Sequence, residues 1–121
     1  MFSISVSNVS AQLMRGETGT ILESSETTAV TGNVYWVDKA SNHAFEVDFG
    51  TTVTALTVRL NVGLTPDNMF AEQTYALDTA EVAAGQARFT VSNAGGNFVR
   101  ADIVSLTPSG TPDITVKYSK Y

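Results

Sequence analysis

The sequence predicts an all-β domain, a sandwich or barrel of about eight strands, on three observations. Thr, Ser and Val dominate the composition while Lys and Arg together number seven, and β-branched and small hydroxyl side chains suit a pleated, half-exposed surface better than a helix. Period-two alternation of apolar and polar residues recurs along the chain. Proline, glycine and asparagine clusters punctuate it at intervals of about 8 to 12 residues.

Length and charge narrow the function classes before any motif is read. The chain of 121 residues is enough for one domain with its own core, and residues 1–121 are taken as one unit. Apolar residues make up 43% and charged residues 16%, which separates the chain from disordered sequences. A formal charge of −5 opposes a phosphate-neutralising surface, so no nucleic-acid partner is expected. The absence of cysteine removes disulfides, thiolate chemistry and thiolate zinc sites. The opening "MFSISVSNVS" has neither a basic start nor a long apolar run, so synthesis in a cytoplasm is expected. No stretch reaches the roughly 18 apolar residues of a membrane helix, and no membrane partner is expected.

The elements follow in order. Phe2, Ile4 and Val6 alternate with serines, predicting a strand over residues 2–9. The polar stretch 10–32 carries Leu13-Met14 and Ile21-Leu22 on either side of Gly16–Gly19. That layout predicts a hairpin or arm projecting from the domain, with a short helix at 10–15 as the competing reading. Residues 33–38, "NVYWVD", predict a strand with Val34 and Trp36 on one face and Tyr35 and Val37 on the other. Phe45, Val47 and Phe49 alternate with Glu46 and Asp48, and Leu56, Val58, Leu60 and Val62 with Thr57, Arg59 and Asn61. Both patterns predict half-buried strands, and residues 63–69 between the second of them and the next predict a loop.

A strand is expected around residues 74–77. Asp78 with Glu81 three residues on, and Gly85 as a stop, predict one capped helical turn. Phe89 and Val91, then Val99, Ala101 and Ile103, then Ile114, Val116 and Tyr118 mark three further strands, separated by "NAGGN" and "TPSGTPD".

Residues 44–121 have a recognisable order: "ALTVRLNV", the turn "LTPDNMF", a strand ending in "YALDT", then "QARFTVSNAGGNFVRADIVSLTPSGTPDITVKY". This order resembles small jelly-roll β-sandwiches of the discoidin or galactose-binding-like type found among tailed-bacteriophage virion proteins. The turn Thr65-Pro66-Asp67-Asn68 stands where that pattern has Ser-x-Asp-Gly, and Phe70 where it has tryptophan. The resemblance implies a jelly-roll-like antiparallel sandwich and a structural part in a virus particle, located in the virion after synthesis in the host cytoplasm. Its implied partners are copies of itself, as a homo-oligomer, and other virion proteins.

Few residues carry chemistry. His43, the one histidine, sits in the polar segment "KASNHAF" and reads as a surface turn residue without a nucleophile beside it. Glu46 and Asp48 read as solvated charge on one strand face, and Asp67, Asn68 and Glu72 as turn chemistry in place of a calcium loop. "NAGGN" lacks the spacing of a phosphate loop. No catalytic residue, metal or cofactor is expected. The function expected is that of a non-enzymatic capsid decoration protein or a small tail or head-tail component. Leu13, Met14, Arg15, Glu17, Ile21 and Leu22 are the candidate assembly contacts, an apolar patch rimmed by charge. On that reading, removing residues 12–22 leaves a folded protein that no longer assembles. The alternative is a carbohydrate-binding module in which Tyr35 or Trp36 stacks on a sugar.

Overall fold

The computed structural model describes residues 12–13, 18–40, 42–92 and 96–120. Ten strands and one short helix form a two-sheet antiparallel sandwich of jelly-roll character. The strands are β1 (Gln12–Leu13), β2 (Thr18–Ser24), β3 (Val30–Thr31), β4 (Tyr35–Ala40), β5 (His43–Asp48), β6 (Val53–Thr65), β7 (Asn68–Ala76), β8 (Gln86–Val91), β9 (Gly96–Pro108) and β10 (Ile114–Lys120). One sheet runs β1-β4-β9-β6-β7, with β3 also on β9; the other runs β2-β10-β5-β8. The pair β1–β4 alone among these is parallel.

The alternating segments behave as read. Leu56, Val58, Leu60 and Val62 point inward with at most 3% exposure, and Val99, Ala101 and Ile103 on β9 meet them across the ladder. From the facing sheet come Phe45 and Val47, Ile114, Val116 and Tyr118, all fully buried. These strands therefore give every second side chain to one interior, the arrangement in which period-two patterning removes apolar surface from water. The capped turn is present as α1 (Thr79–Ala84): Asp78 accepts from the Glu81 amide and the Glu81 carboxylate from the Asp78 amide. Gly85 ends it at φ +76°, where a Cβ would lie 2.8 Å from the Gly50 carbonyl oxygen. The Gly85 carbonyl accepts from the amides of both Phe49 and Gly50, tying the helix to the turn between β5 and β6.

Four expectations are corrected. Within 10–32 the two described strands do not pair with each other as a hairpin: β1 joins the larger sheet and β2 the smaller one. Ile21 is 1% exposed and Leu22 7%. Both are in the core because β2 carries a bulge; Leu22 faces Val116 and Thr20 faces Lys117, which leaves Ile21 as the extra residue. A bulge re-aims consecutive side chains, so an apolar doublet can face one way. The expected loop 63–69 shrinks to a two-residue turn at Pro66-Asp67, since Thr65 already pairs with Asn68. His43 lies in β5 rather than in a turn and is fully buried. The expected strand 2–9 and most of the "NAGGN" turn lie outside the described residues.

Candidate functional site

Among the described residues, the interior holds a buried polar pair. His43 shares a 2.6 Å hydrogen bond between its Nδ1 and the Tyr118 hydroxyl, with the two rings tilted at 35° and Phe45 against the tyrosine. Burial pushes the Tyr118 hydroxyl well above the usual tyrosine range. The pair sits among core side chains with neither member exposed, so no substrate reaches it. Its chemistry is that of a buried polar couple satisfying each other.

The outer face of the smaller sheet is a charge ladder. Arg88 reaches Glu46 at 2.8 Å and Lys117 reaches Asp48 at 3.8 Å. The Arg88 hydrogen bond holds the Glu46 carboxyl below the usual range, while burial and the neighbouring Glu46 push Asp48 up. Cross-strand pairs of this kind are largely exposed and screened by salt, and they hold register more than they bind.

The outer face of the larger sheet is different. Trp36 on β4 lies opposite Phe98 on β9, Phe98 opposite Gly63 on β6, and Gly63 opposite Met69 on β7. Directly opposed residues share a face, so these four form one row across the sheet. Trp36 points outward because its neighbours Tyr35 and Val37 turn toward the core; it remains 39% exposed. A Cβ on Gly63 would lie 2.7 Å from Met69 Sδ, so the missing side chain makes room for the thioether.

Next along the face is a buried polar cluster. The Asp102 carboxylate, 6% exposed, accepts from Arg100 Nε at 2.9 Å and Nη2 at 3.0 Å, from Asn61 Nδ2 at 2.9 Å, and from the Gly32 amide at 3.1 Å. Four donors on one carboxylate make a fully used acceptor that fixes Arg100 flat on the sheet and ties β3, β6 and β9 together. Beyond the row, the β6–β7 hairpin carries Leu64 at 67% and Phe70 at 56% exposure; Phe70 lies opposite the inward-facing Val62, on the other face of the ladder from Trp36. Trp36, Leu64 and Phe70 are the exposed large apolar residues among those described, and all three belong to this sheet.

The sequence-derived candidates divide accordingly. Ile21 and Leu22 are buried in the core. Leu13 falls opposite Trp36 in the β1–β4 pairing, and Met14, Arg15 and Glu17 lie outside the described residues. Tyr35 is half-buried and packs on the core, and Trp36 is the exposed partner of the dyad. Asp67 and Asn68 are exposed at the hairpin turn, and no group of three metal-ligating side chains occurs among the described residues. No helix of the described residues is long and apolar enough to cross a membrane. Leu64 and Phe70 escaped sequence reasoning because residues 63–69 read as a polar turn. Their signal was two large apolar residues flanking Pro-Asp-Asn, where a solvated loop needs neither.

No family model matches the chain, and no curated protein matches it. Solved structures do. The SPBc2 prophage-derived protein YomS superposes with a TM-score of 0.51 at 16% identity, covering 84% of this chain and 88% of its own. The C-terminal domain of A223, a structural protein of Sulfolobus turreted icosahedral virus, gives 0.46 at 15% identity, covering 87% and 100%. The family 6 carbohydrate-binding module CsCBM6-3 of Clostridium stercorarium, solved with cellobiose, gives 0.44 at 11% identity, covering 92% and 96%. At these identities the likeness is one of fold.

Proposed function

We propose that the protein is a non-enzymatic structural component of a virus particle, a capsid decoration protein or a small tail or head-tail piece, and that it works through protein–protein contacts on its larger sheet. The observation that carries this reading is the exposure of three large apolar side chains of the larger sheet among the described residues, Trp36 on its outer face and Leu64 and Phe70 on the β6–β7 hairpin. Exposed aromatic and aliphatic anchors are the usual centre of a protein contact. The fold shared with a prophage-derived protein agrees with it.

Size-exclusion chromatography with light scattering tests the reading. The expected result is a discrete oligomer, or co-migration with purified particles of the parent virus, either of which Leu64→Ser with Phe70→Ser abolishes while the protein stays folded. A second reading, sugar binding, is favoured by the exposure of Trp36 alone. It requires a monomer whose tryptophan fluorescence shifts on titration with cello- or xylo-oligosaccharides, a response that Leu64→Ser and Phe70→Ser leave intact.

A further inference from the structure

A two-layer sandwich has sheet edges, and unpaired edges invite pairing with other chains unless something blunts them. Among the described residues, three of the four edges are blunted. β2 carries the Ile21 bulge. β7 carries another, since Leu60 faces Gln73 and Asn61 faces Ala71, leaving Glu72 extra. The remaining edge of the larger sheet is interrupted, with β1 and β3 of two residues each flanking the rest of β4. β8 differs from all of these. It pairs with β5 over six consecutive residues, His43 with Val91 through Asp48 with Gln86, without a register shift. It holds no proline, and its one charged residue, Arg88, points away from the core.

From this contrast we infer that the edge of β8, which has no strand partner beyond β5 among the described residues, is a self-association seam, pairing antiparallel with β8 of a second copy about a two-fold axis and joining the two smaller sheets into one of eight strands. The inference rests on the assembly reading and names a different surface for the contact between copies.

Charge selects the register. A two-fold axis at Arg88 sets that guanidinium against its own copy. An axis at Phe89 sets Phe89 against Phe89, Arg88 against Thr90, and Gln86 against Ser92, with no like charges opposed. In that register the Phe89 ring, already stacked on Tyr75 at 3.9 Å, meets its symmetry mate at the mouth between the layers. The Tyr75 hydroxyl reaches the Thr90 carbonyl at 3.4 Å, which leaves that oxygen a second lone pair for the ladder. The pairing also stops at two copies, because the outer edge of the joined sheet is the bulged β2 on both sides.

Single-cysteine cross-linking suits a chain that has no cysteine of its own. An equimolar mixture of Arg88→Cys and Thr90→Cys proteins is expected to give a mixed disulfide dimer under mild oxidation, while Thr20→Cys on β2 stays monomeric on denaturing gels. Charge variants read the same register without a cross-link. Thr90→Glu places an anion opposite Arg88 and is expected to tighten the dimer several-fold by sedimentation, whereas Thr90→Lys loosens it several-fold, each dimer holding two such pairs. An oligomer that ignores both charge variants, with no mixed disulfide, overturns the β8 seam and leaves assembly through Trp36, Leu64 and Phe70 standing. A wild-type monomer at every concentration overturns the seam as well. The assembly reading falls with it only if particle binding also fails.

Discussion

The hydroxyl of Tyr118 and Nδ1 of His43 lie 2.6 Å apart on the two middle strands of the smaller sheet, at the start of β5, 75 residues distant in the chain and both buried. Each is a polar group that the core tolerates because of the other. Tyr118→Phe is expected to cost about 1 to 3 kcal/mol, since the ring still fills its space while the imidazole loses this partner. Urea unfolding at neutral pH measures it, and an unchanged midpoint would show that the bond contributes nothing.

The same tyrosine sets an alkaline limit. Burial raises its folded pKa above the ordinary value of 10.0, so the folded state keeps the proton that the unfolded state releases. This contribution is complete below about pH 10 and declines as the pH climbs beyond it. Wild-type stability should therefore fall between about pH 10 and 11, with a shallower fall in Tyr118→Phe. Parallel profiles would assign the alkaline loss to other groups.

Asp102→Asn is expected to destabilise by about 3 kcal/mol, because an amide offers one acceptor oxygen where the carboxylate meets Arg100, Asn61 and Gly32 together, and the partly buried guanidinium loses its counter-charge. Arg100→Ala should cost a similar amount, and the double variant less than the sum. Additive losses would show that the two residues act separately.

Leu60→Ala and Ile21→Ala are each expected to cost about 2 to 5 kcal/mol, the usual range for truncating a fully buried aliphatic side chain. For Ile21 this separates two roles: a residue of a projecting contact would alter assembly and leave the melting temperature in place. By the same argument, removal of residues 12–22 takes out part of β2 and should prevent folding, which circular dichroism reports directly.

How much of this was legible depended on whether the deciding contact was local. The run from Leu56 to Val62 announced its strand and inward face, because alternation on one strand is enough to say which side chains meet the core. The helix cap was equally plain, its two partners being three residues apart. His43 was obscured by the polar residues before it, although it stands in phase with Phe45, Val47 and Phe49 and that parity pointed inward. Its partner Tyr118 is supplied by another strand. Ile21 and Leu22 were misread because an apolar doublet on a regular strand must face both ways, and nothing in the residues themselves announces a bulge. Trp36 was recognisable as half of a dyad with one exposed member, whereas its row with Phe98, Gly63 and Met69 exists only through the register of four strands.

The placement of β9 and β10 governs how the chain can emerge from a ribosome. β9 lies inside the larger sheet, between β4 and β6, and β10 inside the smaller one, between β2 and β5. Both come after every other strand in the chain. Until residue 96 and beyond have been made, only the β6–β7 and β5–β8 neighbours have long partners. β2, β4 and the inner edges of β5 and β6 wait with open ladders, and non-local pairing of this kind is slow. A stalled or truncated nascent chain is thus two half-sheets with sticky sides and no closed core, a species prone to aggregate and to engage chaperones. Completion is abrupt: one stretch of about 25 residues (96–120) inserts the middle of both layers.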